Sequence, residues 1–213
     1  FASVCIPTYE IGGDYFDYIP IDDNRIAIAI ADVSGDGVPA ALIMAAFRAL
    51  LRYNAKLFSD PAKLIKLMNE QVSEFMRKRD FISVFYGILD YKNHTFIYCN
   101  CGHNPGLHLN SQSIKLIEGG GPSLNLLKDA EFKTFELNLE KNDQILLYTD
   151  GVVEVFSKDK SQFGLEKLIE AFNSNADKNP NEIIKQVISA TKDFSSSDFY
   201  NDDFTLLVIK KNN

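Results

Sequence analysis

The sequence predicts an α+β layered fold. Three observations carry that prediction: apolar runs of strand length that stop at aspartates, segments of helical apolar spacing that come in consecutive pairs, and a central stretch of short strands joined by turn residues. Residues 1–7 and 15–20 read as short strands on either side of Gly12-Gly13-Asp14. The run Ile26-Ala27-Ile28-Ala29-Ile30-Ala31 is apolar on both faces, as a fully buried strand is, and it stops at Asp32. A helix follows, with Pro39 in its first turn and Leu42, Ala45, Ala46, Ala49, Leu50 and Tyr53 forming one stripe that reads as core. A second helix opens at Ser59-Asp60-Pro61, a cap followed by a helix-starting proline, and places Leu64, Met68, Val72 and Phe75 on one side.

The middle of the chain reads as β. Residues 83–89 and 95–100 form a hairpin around Asp90-Tyr91-Lys92-Asn93, and residues 106–109 and 114–117 form another around Asn110-Ser111-Gln112-Ser113. Residues 132–139 alternate between apolar and polar, and residues 144–148 are a further apolar strand that runs into Asp150. Two late helices follow, one carrying Leu165, Leu168, Ile169 and Phe172, the other Ile183, Ile184, Val187 and Ile188. The second of them has Asn179-Pro180 as cap and first turn, with Glu182 three residues past the cap. Residues 204–209 close the chain as a strand. Repeats, low-complexity tracts and long linkers are absent from the sequence.

Length and composition narrow the function. The 213 residues correspond to about 1.4 typical domains, so one large domain over residues 1–213 is expected. Apolar residues make up 46%, with 16 Phe and 9 Tyr to fill a core without Trp. The net charge of −7 argues against a nucleic-acid backbone binder, which needs a surplus of Lys and Arg. The longest apolar run, Ala40 to Phe47, is far short of a membrane span, and no signal-peptide pattern opens the chain. Three cysteines, Cys5, Cys99 and Cys101, make no disulfide framework and point to a reducing, cytoplasmic setting. The start at Phe1, inside a strand-like run, reads as a fragment of a longer protein.

The chemistry lies in where the acids fall. Asp14 follows two glycines, Asp32 and Asp150 end buried strands, and Asp202-Asp203 precede a third. Each alone is an ordinary turn or cap residue. As a set at the ends of core strands they predict converging carboxylates, which stay ionised together only beside cations. Oxygen donors with no matching His suit Mg²⁺ or Mn²⁺ better than zinc, and two such ions can activate a water and clamp a phosphoryl group. Other motifs read as structural. The Asp32-to-Gly37 segment starts like an EF-hand loop but has Ile43 where the bidentate Glu belongs. Cys99, Cys101, His103 and His108 lack zinc-site spacing, and the two thiols fall on one strand face as small apolar groups. His103 reads as a turn-stabilising histidine and Arg25 as part of the turn after Asp22-Asp23-Asn24. Asp17 reads equally as a support for the metal site or as a turn residue. Ser195-Ser196-Ser197 reads as a loop, since no base is paired with it.

These segments also carry a resemblance. Gly12-Gly13-Asp14-Tyr15-Phe16-Asp17, Asp32-Val33-Ser34-Gly35-Asp36-Gly37-Val38-Pro39-Ala40-Ala41, Cys101-Gly102-His103-Asn104-Pro105, Tyr148-Thr149-Asp150-Gly151-Val152-Val153-Glu154, Phe163-Gly164-Leu165-Glu166 and Asp202-Asp203-Phe204-Thr205 resemble, in order, the signatures of the SpoIIE/RsbU-type phosphatases. These are bacterial members of the metal-dependent serine/threonine phosphatases, the PPM or type-2C family. The resemblance implies two packed antiparallel sheets flanked by helix pairs, an α/β/β/α sandwich. It implies a binuclear Mn²⁺ or Mg²⁺ centre held by Asp14, Asp32, Asp150, Asp202 and the carbonyl of Val33, with Asp202 chosen over Asp203 as the first acid of its motif.

The implied activity is a protein serine/threonine phosphatase in which metal-activated hydroxide attacks phosphorus directly, without a phosphoenzyme. The implied substrate is a phosphorylated anti-anti-sigma (STAS-domain) protein in a partner-switching pathway. The domain would follow a sensor or dimerising segment in cis, as part of a protein that a membrane anchor could hold, and could itself form a homodimer. The helix pair after residue 37 would move a metal-bearing loop if it shifted. The alternative is a binding module that keeps the fold without turnover, against which the full set of matched acids argues. Two positions depart from the family pattern: Asp36 stands where His or Lys is usual, and Asn125 where a glycine is usual.

Overall fold

The computed structural model describes residues 1–195 and 202–212. The strands are β1 (Ala2–Ile6), β2 (Tyr15–Pro20), β3 (Arg25–Val33), β4 (Ile82–Asp90), β5 (Thr95–Cys101), β6 (Gly106–Leu109), β7 (Ile114–Ile117), β8 (Gly120–Gly121), β9 (Phe135–Asn138), β10 (Gln144–Tyr148) and β11 (Phe204–Lys210). The helices are α1 (Gly37–Asn54), α2 (Pro61–Ser73), α3 (Asp150–Val153), α4 (Gly164–Asn173) and α5 (Pro180–Ser195). The strands sort into two sheets, so the fold is α+β. One sheet runs β1-β11-β10-β6-β7. The other runs β2-β3-β4-β5-β8, with β9 paired to β5. Every pairing is antiparallel except that of β5 with β8.

The chain divides into two compact units. One comprises Phe1–Glu10, Asn104–Ile117 and Glu140–Asn213, and the other Ile11–His103 and Glu118–Leu139. In the first unit, Leu107, Leu146, Tyr148, Leu206 and Val208 of the sheet pack with Leu168, Phe172, Ile183 and Val187 of α4 and α5. In the second, the sheet face made by Ala27, Ala29, Ala31, Val84 and Tyr86 receives Phe47 and Leu51 of α1 and Leu64, Met68 and Val72 of α2. The three alanines leave room for larger partners, and Phe47 meets Tyr15 edge-on with ring centroids 6.0 Å apart. On the opposite face of the same sheet, Phe85, Phe96, Tyr98 and Phe135 stack in a row with centroids 5.2 to 6.2 Å apart. Among the described residues, no helix is long and apolar enough to cross a membrane.

Several expected details change. The stripe expected to be the core of α1 is largely exposed, with Leu42 at 68% and Tyr53 at 74% of full exposure. The buried face carries Ala40, Met44, Phe47, Leu51 and Asn54 instead. Residues 40–47 are all apolar, so they hold no period by which one face could be chosen. The sheet chooses the face with the bulk to fill the space over its alanines. Phe75 lies beyond α2, which ends at Ser73, and is 44% exposed. The strand expected over 132–139 shortens to Phe135–Asn138, and Phe132 packs against the core instead. Ser195 ends α5 rather than opening a loop, while Ser196 and Ser197 lie outside the described residues.

The reassigned face of α1 is testable by truncation. Phe47→Ala removes a fully buried ring and should cost about 3–5 kcal/mol in urea unfolding, whereas Leu42→Ala should stay within about 0.5 kcal/mol. The reverse order would mean that the expected stripe is the buried one.

Candidate active site

The site is built from the ends of strands. Tyr15 pairs with Ala31 across β2 and β3, and Val33 N–H donates to the Gly13 carbonyl at 3.3 Å. The same register therefore sets Asp14 opposite Asp32, both half-buried. A side chain at Gly13 would put its Cβ 2.9 Å from the Val33 carbonyl oxygen and 3.5 Å from Asp32 Oδ1. A backbone oxygen and a carboxylate oxygen thus border one position that only glycine leaves open. The next residue, Ser34, locks the loop: its N–H donates to Phe81 O at 3.0 Å, and its hydroxyl accepts from Phe81 N–H at 2.9 Å. Asp36 occupies the N-cap position of α1, exposed, and makes no side-chain cap bond.

Around this loop the structure assigns roles that the sequence left open. Asp17 ties β2 to α1. Arg52 Nη1 reaches its two carboxylate oxygens at 2.7 and 2.6 Å, Arg48 Nε stands 4.0 Å away, and the Tyr15 hydroxyl donates to it at 2.6 Å. Burial first, and then the bond to Asp17, push the Tyr15 phenol far above its ordinary range. The sequence reading missed Arg48 and Arg52, although two arginines four apart on a largely apolar helix are a signal for a fixed anionic partner. His103 Nδ1 shares a 2.8 Å hydrogen bond with the Ser83 hydroxyl, and Ser83 pairs with Asp32 in the β3–β4 ladder. The His103 backbone N–H donates to Asn100 Oδ1 at 2.9 Å, as a turn-stabilising residue does. Arg25 sits in its turn on Asp22, with Nη2 2.7 Å from Oδ2.

Asn125 explains its own departure from glycine. It adopts a left-handed φ of 69°, which Asn tolerates better than most residues, and its amide donates to the carbonyls of Arg77 at 2.9 Å and Asp80 at 2.7 Å. The cysteine–histidine set does not assemble. The Cys99 and Cys101 sulfurs lie 3.3 Å apart, buried on one face of β5, while His108 Nε2 pairs with Asp143 Oδ2 at 2.9 Å in the other unit.

The remaining acids belong to the other unit. Thr149 and Thr205 hold the end of β10 to the start of β11, with Thr149 N–H donating to Thr205 O and Thr205 N–H to Thr149 Oγ1, both at 3.1 Å. Asp150 then opens α3. A Cβ on Gly151 would fall 2.1 Å from the Asp203 carbonyl oxygen, so the absence of a side chain allows the 150–151 and 202–203 segments to touch. Asp203 is buried and accepts the Thr8 N–H at 2.8 Å, and Asp202 is exposed and accepts the Asp203 N–H at 2.7 Å. Burial foremost, then the charges of Glu154 and Asp203, hold the Asp150 carboxyl above the usual carboxylate range.

The groups at these strand ends are oxygens, a chemistry that suits a hard divalent cation better than a thiol-seeking one. Asp14 and Asp32 belong to one unit and Asp150, Asp202 and Asp203 to the other. Among the described residues, no group of three or more His, Cys, Asp or Glu side chains is arranged to hold a metal ion.

The two sheets with their helices define a class of fold, and solved structures share it. The SiaA-PP2C domain of Pseudomonas aeruginosa matches 99% of this chain and 85% of its own with a TM-score of 0.88 at 17% identity. RsbX, crystallised in complex with magnesium, matches 98% of this chain and 92% of its own with a TM-score of 0.72 at 18% identity. The fold is that of the PP2C, or PPM, phosphatases. Residues 22–212 match the family Stage II sporulation protein E (SpoIIE), and the chain belongs to that family. Phosphoserine phosphatase RsbU of Bacillus subtilis (strain 168) is 30% identical over 99% of this chain. The chain spans 62% of the length of that relative.

Two substitutions test the local geometry. Gly13→Ala forces a Cβ against the Val33 carbonyl and should cost about 1–3 kcal/mol in urea unfolding. Asp150→Asn removes a charge that burial and two carboxylates oppose, so the metal-free protein should melt at a higher temperature. A lower melting temperature for Asp150→Asn would show that the charge is compensated.

Proposed function

We propose that the chain is a divalent-metal-dependent protein phosphatase acting on phosphoserine or phosphothreonine, located in the cytoplasm. The observation that carries this reading is the oxygen cradle at Gly13, where the Asp32 carboxylate and the Val33 carbonyl border one opening. Asp14, Asp32 and the Val33 carbonyl on one unit, and Asp150 and Asp202 on the other, are the groups that would hold two Mn²⁺ or Mg²⁺ ions. Bound there, such ions would polarise a phosphoryl oxygen and lower the pKa of a coordinated water, so that hydroxide would be available near neutral pH. RsbX, of the same fold, was crystallised with magnesium, which supports that choice of ion.

The chain's own residues supply placement. Ser34 and Phe81 fix the loop that bears Asp32 and Val33, and Asp17 with Arg52 fixes β2, and so Asp14, against α1. Asp203 holds its segment through Thr8. Cys99 and Cys101 are not suited to act as nucleophiles, because both are buried and burial pushes the Cys101 thiol far up. Direct attack on phosphorus without a phosphoenzyme is the consistent route. The relative RsbU, named a phosphoserine phosphatase, supports the substrate class. The proposed substrate is a phosphorylated anti-anti-sigma (STAS-domain) protein in a partner-switching pathway, with a sensor or dimerising segment of the parent protein acting on α1 and α2.

Hydrolysis of p-nitrophenyl phosphate should require Mn²⁺ or Mg²⁺ and stop with EDTA. Asp32→Asn and Asp150→Asn should each lower turnover by more than about 100-fold, beyond the loss seen when only outer partners of metal ligands are disturbed. Phosphoserine peptides should be preferred over phosphotyrosine peptides, and thiol alkylation should leave the rate unchanged. Full turnover by both variants would remove these acids from the site, and a phosphotyrosine preference would overturn the substrate class. A folded protein without any metal-dependent turnover would instead be a binding module.

A dimerising coiled coil fused upstream tests the regulatory part. It should raise turnover and Mn²⁺ affinity over those of the chain alone, and equal values in both would remove the switch.

A further inference from the structure

The acidic chain carries one concentrated basic segment. Arg77-Lys78-Arg79 lies between α2 and β4, in a protein of net charge −7, with Asp80 as its adjoining carboxylate. Arg77 uses that carboxylate fully, with Nε 2.7 Å from Oδ2 and Nη2 3.2 Å from Oδ1. Arg79 stands 3.7 Å from it with its side chain 77% exposed, and Lys78 is exposed as well. Within a Debye length of roughly 8–10 Å, an approaching chain meets this local positive charge rather than the net charge of the whole molecule.

Two sets of hydrogen bonds place the segment. Phe81, two residues past Arg79, is bonded in both directions to Ser34, the neighbour of Val33 in the candidate metal-bearing loop. Asn125 donates to the carbonyls of both Arg77 and Asp80, and buried Asn69 accepts from Asn125 N–H at 2.8 Å and donates to Leu127 O at 3.0 Å. Leu126 and Leu127, exposed at 51% and 59%, follow directly on the residue that is bonded to the backbone on both sides of Lys78 and Arg79. Apolar groups next to exposed cations on a pinned backbone are the makings of a protein-binding surface. Asp36, exposed on the same metal-bearing loop, adds negative charge there, so attraction for an anionic partner has to come from a neighbouring segment.

We propose that Lys78 and Arg79, with Leu126 and Leu127, form a docking surface for acidic residues that flank the phosphorylated residue of the protein substrate. The inference rests on the phosphatase reading and adds a substrate feature to it: an acidic flank with an apolar anchor. Electrostatic complementarity of this kind selects among phosphoproteins and speeds encounter more than it adds affinity.

The test uses two phosphoserine peptides of equal length, one flanked by Asp and Glu and one by Ser and Asn, followed by fluorescence anisotropy in EDTA at low salt. The unmodified chain should bind the acidic peptide about tenfold more tightly, and high salt should erase the difference. The double variant Lys78→Glu with Arg79→Glu should lose the preference, and the neutral variant Arg79→Gln should fall between them. Equal binding of the two peptides by the unmodified chain would overturn the proposal, as would a preference that survives in the folded double variant. Hydrolysis of p-nitrophenyl phosphate by the unmodified chain reads the phosphatase function separately, so failure of one reading is distinguishable from failure of the other.

Discussion

The antiparallel register of β2 on β3 is the constraint on which the candidate site depends. It pairs Tyr15 with Ala31, Asp17 with Ala29 and Ile19 with Ala27, so these side chains share the face that α1 covers. Ala29 leaves Asp17 the space to meet Arg52, and Ala31 leaves Tyr15 the space to meet Phe47. The alternate positions belong to the other face, and there the same register sets Asp14 opposite Asp32. A slip of one residue would exchange the two sets, putting Asp17 on the wrong face and separating the acids. Gly13 is what allows the register to persist past the ladder, because any side chain there would strike the Val33 carbonyl.

The unit that carries Asp150, Asp202 and Asp203 follows the same logic with different residues. Gly151 lies so close to the Asp203 backbone that the 150 and 202–203 segments converge, and the convergence crowds carboxylates that burial already disfavours as anions. Such crowding costs stability in the metal-free protein. Membership of the SpoIIE family gives that arrangement its context. It also frames the departures. Asn125 replaces glycine without losing the left-handed turn, and gains an amide that pins the basic segment through the Arg77 and Asp80 carbonyls.

What sequence patterns conveyed about helices varied with their composition. In α5 the expected Ile183, Ile184 and Val187 are buried and Ile188 packs half-buried against the same core, because polar neighbours mark the opposite face. In α1 an eight-residue apolar run preceded the only polar markers, and the stripe inferred from it turned out to face solvent. Periodicity needs contrast. Where contrast is missing, the volume available over the partner sheet decides, and the partner here is a row of alanines that Met44, Phe47 and Leu51 fill.

The sequence by itself determined the class of fold, the buried strands and the identity of the strand-end acids. Each of these is written in local signals: apolar runs of strand length, caps at Asp60 and Asn179, and aspartates where hydrophobicity stops. Only tertiary structure decided that Asp17 reaches Arg52, that Ser34 locks to Phe81, that Asn125 bridges to Arg77 and Asp80, and which face of α1 is core. Those contacts join residues 35 to 48 positions apart, or rank faces of equal hydrophobicity. No local pattern encodes either, because both are settled by which side chains fit the space and charge that distant strands present.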